Sequence, residues 1–416
     1  MNLNSFTQKT LLIYLILSAT AMAPMNISFF LVLFAWILNR RDSQRVLFKE
    51  FEGSETFRSY RFWAIALLVT CWGSLIAAKI FPFEYAEHAP EVTLHGFTKI
   101  WYLGIPAILI SVYEWLSRKS SVTIPFILKP WWFMTIFYLF IAVIQFFTGW
   151  PLKQPIPTNP GKYHAILFLG HHLSTSSVII FPAFTALAVA FGKWSRRKSS
   201  SSTNTTDETT DILNSRTLWI IGVSGIIILF LSYARTGWLA ILIGLAILIQ
   251  NYFGRHLSRK QWLAGFISCI VLLTGLSQTP LVKERIQRMI GISERFQLWK
   301  ANVDFFQNRP LTGIGWLKTQ EMSEFYFKSI DPENYRNYFW GHAHSNFFEM
   351  LGGTGLIGLL AFLGWSWFTL KHSLFLARRF QDKGKFQYAD FAFGIFVALI
   401  LLHFNGLTNV TFWEGK

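Results

Sequence analysis

Charge is what this chain has least of. Only 14% of its 416 residues are Asp, Glu, Lys or Arg, against about 25% in an average soluble domain. So few charges exclude a fold that meets water over most of its surface. Acidic residues are the scarcest, 22 against 38 Lys and Arg, which leaves a net charge of +16. There are two cysteines, Cys71 and Cys269, and both lie inside apolar runs. That excludes a disulfide framework and a cysteine-based metal site, and both read as buried packing residues. No internal repeat divides the chain, which argues against the repeat architecture of a transporter.

What the chain has instead is hydrophobic length. Hydrophobic residues make up 52% and aromatics 18%. Runs such as "FWAIALLVTCWGSLIAAKIF", "WWFMTIFYLFIAVIQFF", "VIIFPAFTALAVAF" and "WLAILIGLAILI" reach or approach the roughly 20 residues a helix needs to cross a hydrocarbon core. The fold class is an all-α polytopic membrane protein. Its apolar segments fall at about 11–23, 27–38, 62–80, 99–116, 131–148, 173–192, 217–232, 237–252, 261–277, 353–370 and 389–403. The first two form a hairpin whose first helix stays uncleaved, since Pro24 follows the small-residue "AMA" stretch that could otherwise resemble a cleavage site.

The basic residues give the topology. "NRRDSQR", "SRKSS", "KWSRRKSS", "GRHLSRKQ" and "KHSLFLARRFQDKGK" each follow an even-numbered segment, so the positive-inside rule puts all five in the cytoplasm. This also accounts for the net charge without nucleic acid as a partner. The expected organisation is residues 1–277 as membrane helices with short loops, including a cytoplasmic linker at about 193–216. Residues 278–350 form one large loop on the opposite side, with amphipathic helices. Residues 351–416 hold the C-terminal membrane helices.

The outer side receives the chain's least explicable polar groups. Arg235 in "LFLSYARTGWLAIL" sits between two apolar runs with almost no loop, where an arginine is costly and tends to be functional. Its structural alternative is a side chain snorkelling to the headgroups. In the large loop, "ERFQLWKANVDFF" spaces Phe296, Trp299, Val303 and Phe306 at helical intervals, which predicts an amphipathic helix. Arg295 opens it, with Arg288 just upstream, and either could equally serve a surface ion pair or a lipid headgroup. The loop ends in "WGHAHSNFFEMLGGTGLIGLLAF". Its His342 and His344 admit three readings: a metal pair lacking an obvious third ligand, a general base acting near neutral pH, or interfacial residues beside a helix capped by Asn346. Two arginine forks suit phosphate oxygens, and a histidine beside them suits an attacking hydroxyl. Together they fit transfer from a lipid-linked diphosphate.

"RTGWLAIL", "RFQLWKANVDFFQNRPLTGIGW" and "HAHSNFFEMLGGTGLIGLLAF" resemble successive signatures of the O-antigen ligase and polymerase superfamily. The last is the most specific: His344 is followed by Ser345, nine residues, and "GLIG" at Gly355–Gly358, the spacing of the ligases. The resemblance implies a GT-C-like bundle of about 11–12 transmembrane helices in a bacterial inner membrane, with the active site facing the periplasm. It implies an inverting O-antigen ligase. The donor would be O-polysaccharide on undecaprenyl pyrophosphate and the acceptor a sugar hydroxyl of lipid A–core, with no cofactor and no metal. His344 would be the catalytic base and Arg235 and Arg295 would hold the pyrophosphate. His342, Asn346 and Arg288 would be supporting residues. The alternatives are an O-antigen polymerase or a protein O-oligosaccharyltransferase, which share the donor. More remote is a transporter of lipid-linked glycans.

Overall fold

The computed structural model describes residues 9, 10, 13, 55–81, 124–157, 159–169, 171–199, 213–254, 292–338 and 340–410. Among these the regular structure is helical: α1 (Glu55–Ile80), α2 (Ile124–Thr148), α3 (His172–Ser199), α4 (Ser215–Leu231), α5 (Arg235–Phe253), α6 (Ile292–Asn308), α7 (Thr319–Ile330), a 3-10 turn (Tyr335–Asn337), α8 (Asn346–Asp382) and α9 (Phe386–Gly406). Six of these, α1, α2, α3, α5, α8 and α9, contain spans long and apolar enough to cross a membrane. The segments expected at 11–23, 27–38, 99–116 and 261–277 lie wholly or mostly outside the described residues, as do Cys269 and Arg288.

The exposed faces of these helices are as apolar as their buried ones. On α1, Phe62, Ile65, Val69, Trp72, Ile76 and Ile80 form one exposed stripe, and on α2 Phe133, Phe137, Phe140, Val143 and Phe147 form another. Contiguous apolar stripes of this extent are costly in water and mark a surface that meets lipid. The chain is a multi-pass membrane protein by this criterion.

Two compact units divide the chain. The first takes the residues up to Trp131, Glu294–His372 and His403 onward. The second takes Trp132–Ser293 and Ser373–Leu402. In the first, Leu67, Cys71 and Leu75 of α1 pack with Trp316 and with Met350, Ala361 and Phe362 of α8. A second core joins Leu298, Ala301 and Phe305 of α6 to Met322, Tyr326 and Phe327 of α7. The buried face of α6 is therefore Leu298, Ala301, Asn302 and Phe305. That differs from the stripe expected at Phe296, Trp299, Val303 and Phe306, because Phe296 is 60% exposed and the two stripes interleave on one aromatic-rich helix.

In the second unit α3 is the central helix, with Ile179, Ile180, Ala183, Phe184 and Ala186–Ala190 buried. Glycines bring its neighbours close. A Cβ on Gly225 of α4 would stand 2.4 Å from the Ala183 Cβ, one on Gly244 of α5 2.2 Å from Phe184, and one on Gly394 of α9 2.6 Å from the Thr185 Cα. Small residues at such crossings let backbones approach where no hydrophobic driving force operates between helices. At the far ends of these helices, Asp390 accepts hydrogen bonds from Arg196 (2.6 Å) and the Tyr252 hydroxyl (2.9 Å).

Two expected boundaries move. Residues 193–199 belong to α3 rather than to a linker, and α8 continues to Asp382 instead of ending near residue 370. Both extensions are rich in Lys and Arg. Such residues end a membrane crossing, yet they are good helix formers, so the helix outlasts its apolar run.

Candidate active site

Ser345 ends the large loop. Its carbonyl accepts the first helical hydrogen bond of α8, from the Glu349 N–H at 2.9 Å, so Ser345 occupies the cap position expected for Asn346. Asn346 is instead the first residue of α8 and fully buried, with its side-chain amide against Gly406.

The His342–His344 turn before it is held at its centre. The Ala343 N–H donates to Glu349 Oε2 at 2.8 Å, and the Ala343 carbonyl accepts from the Trp299 indole N–H at 2.9 Å. The other carboxylate oxygen of Glu349 accepts from the Thr319 hydroxyl. Glu349 is 2% exposed, and a buried carboxylate is tolerable only when hydrogen-bonded in this way. A carboxylate therefore shapes the turn from below through the backbone. Its sequence signal was only its position in the first turn of α8.

His344 takes a left-handed conformation, φ 47°, which is uncommon outside glycine and asparagine. Its N–H donates to His342 Nδ1 at 3.1 Å, and the two rings lie 4.2 Å apart, tilted by 57°. Because Nδ1 of His342 accepts, the neutral His342 ring carries its proton on Nε2. The two imidazoles are thus distinct: His342 is oriented through Nδ1, and both are partly exposed.

Arg295 stands on α6, the helix that carries Trp299. It stands four residues before Trp299 on α6, a spacing that puts both on one face about 6 Å apart. The Trp299 ring stacks on Phe348 (4.9 Å, 14°) and binds Ala343. Arg295, His342, His344 and Asn346 accordingly belong to one unit. Asp304, further along α6, accepts from the Tyr326 hydroxyl.

The "GGTGLIG" motif has a structural reason. Gly355 interrupts α8 at φ 66°, ψ −165°, a region open essentially to glycine alone. The loop "RPLTGIGW" docks into that break. Ile314 N–H donates to the Gly352 carbonyl (3.0 Å), Gly315 N–H to the Gly353 carbonyl (2.9 Å), and Leu356 N–H to the Pro310 carbonyl (2.8 Å). The Trp316 N–H ties the same loop to Ser74 of α1 at 3.0 Å. The nine residues between Ser345 and Gly355 are thus one short helical stretch, fixed at one end by the capped histidine turn and at the other by this clasp. Gly352, Gly353 and Gly355 thus form a backbone-to-backbone junction, and Gly352 also lets α8 approach α6, since a Cβ there would stand 2.3 Å from Asn302 Oδ1.

Between α7 and the histidine turn, the loop is rich in stacked aromatics. Tyr338 stacks on Phe327 (4.8 Å, 12°) and its hydroxyl donates to Asp331 at 3.0 Å. That hydrogen bond raises the Tyr338 hydroxyl above its ordinary pKa.

Arg235 lies in the second unit. It is the exposed first residue of α5, after a turn in which Tyr233 has φ 59°. His164 Nδ1 donates to the Ser232 carbonyl at 2.9 Å, and the Ala165 N–H donates to the Leu231 carbonyl at 3.1 Å. The segment bearing His164 is fixed in turn by Gln145, buried in α2. Its amide oxygen accepts from the Ile166 and Leu167 N–H groups and its nitrogen donates to the Leu167 carbonyl. His164 stacks on His172 at 4.3 Å, and the His171 ring lies 4.4 Å from His172, tilted by 35°. His171 and His172 are adjacent in the sequence; only the fold adds His164. Among the described residues no group of three or more His, Cys, Asp or Glu is arranged to hold a metal ion.

No curated protein matches this chain at a significant level. Residues 220–363 match the model of one family, described as O-antigen ligase. The matched stretch runs from α4 into α8 and contains Arg235, Arg295, the histidine turn and the clasp at Gly355: the chain carries a Wzy_C O-antigen ligase domain over residues 220–363.

Proposed function

We propose that the protein is an O-antigen ligase of a bacterial inner membrane. It would transfer O-polysaccharide from undecaprenyl pyrophosphate to a sugar hydroxyl of lipid A–core on the periplasmic side. The family covers ligases and polymerases, both of which use lipid-linked glycans. The observation that carries the reading is the His342–His344 turn, clamped through Ala343 by Glu349 and Trp299 inside the matched domain. A base must be held in place before it can be aimed at a hydroxyl, and this turn is held on both sides.

In this reading the acceptor hydroxyl gives its proton to His344 as its oxygen attacks the anomeric carbon. The bond from that carbon to the diphosphate oxygen breaks on the opposite face, inverting the centre. Undecaprenyl diphosphate departs with the electron pair, and the guanidinium groups of Arg235 and Arg295 stabilise its charge. His342 steadies His344 through the backbone. Arg288 and Asn346 support the site. No metal is needed, because the arginines meet the diphosphate charge.

The test is reconstituted transfer with donor, lipid A–core and EDTA, comparing wild type with His344→Ala. Wild type shifts lipid A–core to a polysaccharide ladder. His344→Ala, folded and membrane-inserted, loses about 10²–10⁴-fold, the usual contribution of a general base. Longer lipid-linked glycan without a ladder would instead make the protein a polymerase. Equal activity in the variant would remove His344 from the mechanism.

A further inference from the structure

Tyr335 packs against the core between α6 and α7, and Trp340 lies against its ring at the end of the large loop. Their rings lie 5.8 Å apart at 13°. The Trp340 indole N–H donates to the Tyr335 carbonyl at 2.9 Å, so the ring is fixed in place. Trp340 is nonetheless 39% exposed. Arg336 and Lys328 lie 5.8 and 6.0 Å from the Tyr335 ring, and Asn334, Arg336 and Asn337 around it are exposed. A fixed, exposed indole, stacked on a tyrosine whose ring two cations approach and whose chain neighbours Asn334 and Asn337 are exposed, is unusual for packing. It suits a ligand with one apolar face and many hydroxyls.

A pyranose is such a ligand. Its ring C–H groups carry partial positive charge and meet the negative face of an aromatic ring, while its hydroxyls take hydrogen bonds from the surrounding amides. The position narrows the choice of glycan. Trp340 is two residues before His342 in sequence, and Gly341 between them is anchored by its N–H to Ser323 Oγ at 3.0 Å. Four residues of chain from Trp340 to His344 span at most about 14 Å, the reach of a short oligosaccharide. A sugar presenting its hydroxyl to His344 therefore has its neighbours within range of Trp340.

We infer that the Tyr335–Trp340 pair is a sugar platform that seats a pyranose of the acceptor glycan beside the histidine turn. This rests on the reading of His344 as the base toward an acceptor hydroxyl. The competing role for an exposed tryptophan is an anchor at the lipid headgroups, which needs an apolar side chain but no sugar.

The experiment measures equilibrium binding of lipid A–core to the full protein in nanodiscs, with lipid A lacking core sugars as the control probe. Wild type is compared with Trp340→Phe, Trp340→Leu and Trp340→Ala, each checked for an unchanged unfolding midpoint. Lipid A–core Kd should rise about three- to tenfold in the Leu and Ala variants, stay near wild type in Trp340→Phe, and not move for the sugar-free probe. If Trp340→Leu binds like wild type, or if the sugar-free probe weakens equally, the contact is apolar and the platform is overturned. Equal binding by all four proteins overturns it as well. Transfer is assayed separately: absent transfer with intact Trp340-dependent sugar binding would refute the ligase reading and leave the platform standing.

Discussion

The turn at His342–His344 and the turn at Ser232–Arg235 each place a non-glycine residue at positive φ, His344 at 47° and Tyr233 at 59°. Each leads into a helix, and each has a backbone carbonyl held by a ring N–H, from Trp299 in one case and His164 in the other. They differ in what stands behind them. Ala343 is also gripped by a buried carboxylate, Glu349. The Ser232 turn rests on neutral groups, with the Ser232 hydroxyl donating to the Leu229 carbonyl and accepting from the Ala234 N–H. The contrast follows the charge each turn presents. Arg235 opens α5, where the helix dipole already puts partial positive charge. An arginine there is the wrong sign for helix stability and the right sign for an anion. A carboxylate beside it would neutralise it. The histidine turn presents no fixed charge, so a carboxylate can brace its backbone.

Substitutions at Glu349, Gly355 and His164, each with a control, would break or sharpen this contrast. Glu349→Leu should have the largest effect. It leaves the Ala343 N–H and the Thr319 hydroxyl buried without their acceptor, at about 1–3 kcal/mol per group, and should lower transfer by about ten- to a hundredfold, read alongside thermal unfolding. Glu349→Gln keeps an acceptor for Ala343 and an amide for Thr319, and should recover most of that loss. A Gln variant as poor as Leu would show that the negative charge itself matters.

Gly355→Ala comes next. Its backbone lies where alanine costs about 1–3 kcal/mol, and a Cβ would stand 2.5 Å from the Leu311 carbonyl carbon. The unfolding midpoint should fall clearly. Gly384→Ala is the control: φ is 68° there too, but nothing lies within 4 Å, so only the backbone cost remains. Equal effects would mean that the clasp contributes nothing.

The smallest effect belongs to His164→Leu. It removes one hydrogen bond to the Ser232 carbonyl, about 0.5–1.5 kcal/mol, and should raise the donor KM a few-fold while leaving the acceptor KM alone. His164→Asn, which keeps a donor, should lie between. A change in acceptor KM instead would detach His164 from the arginine turn.

The membrane helices were legible because their signal is local. Seven expected segments, from 62–80 to 389–403, correspond to α1–α5, α8 and α9. The ends of α3 and α8 were missed since charge limits membrane crossing and not helix continuation. The stripe on α6 was misplaced because Phe and Trp occupy both of its faces. At the candidate site, His344 and its spacing to Gly355 stood out in the sequence. The role of Glu349 was not legible, since nothing local reveals that its oxygens meet Ala343 and Thr319.

The sequence by itself determined a chain of apolar helices, a domain of the O-antigen ligase family and the residue types at its core, because hydropathy and motif spacing are properties of short stretches. Tertiary structure decided what holds those residues. The clasp of "RPLTGIG" into the break at Gly355, the grip of Glu349 and Trp299 on Ala343, and the seat of His164 beneath Ser232 all join residues distant in the chain. Buried backbone groups must find partners wherever the fold places them, and only the fold names those partners.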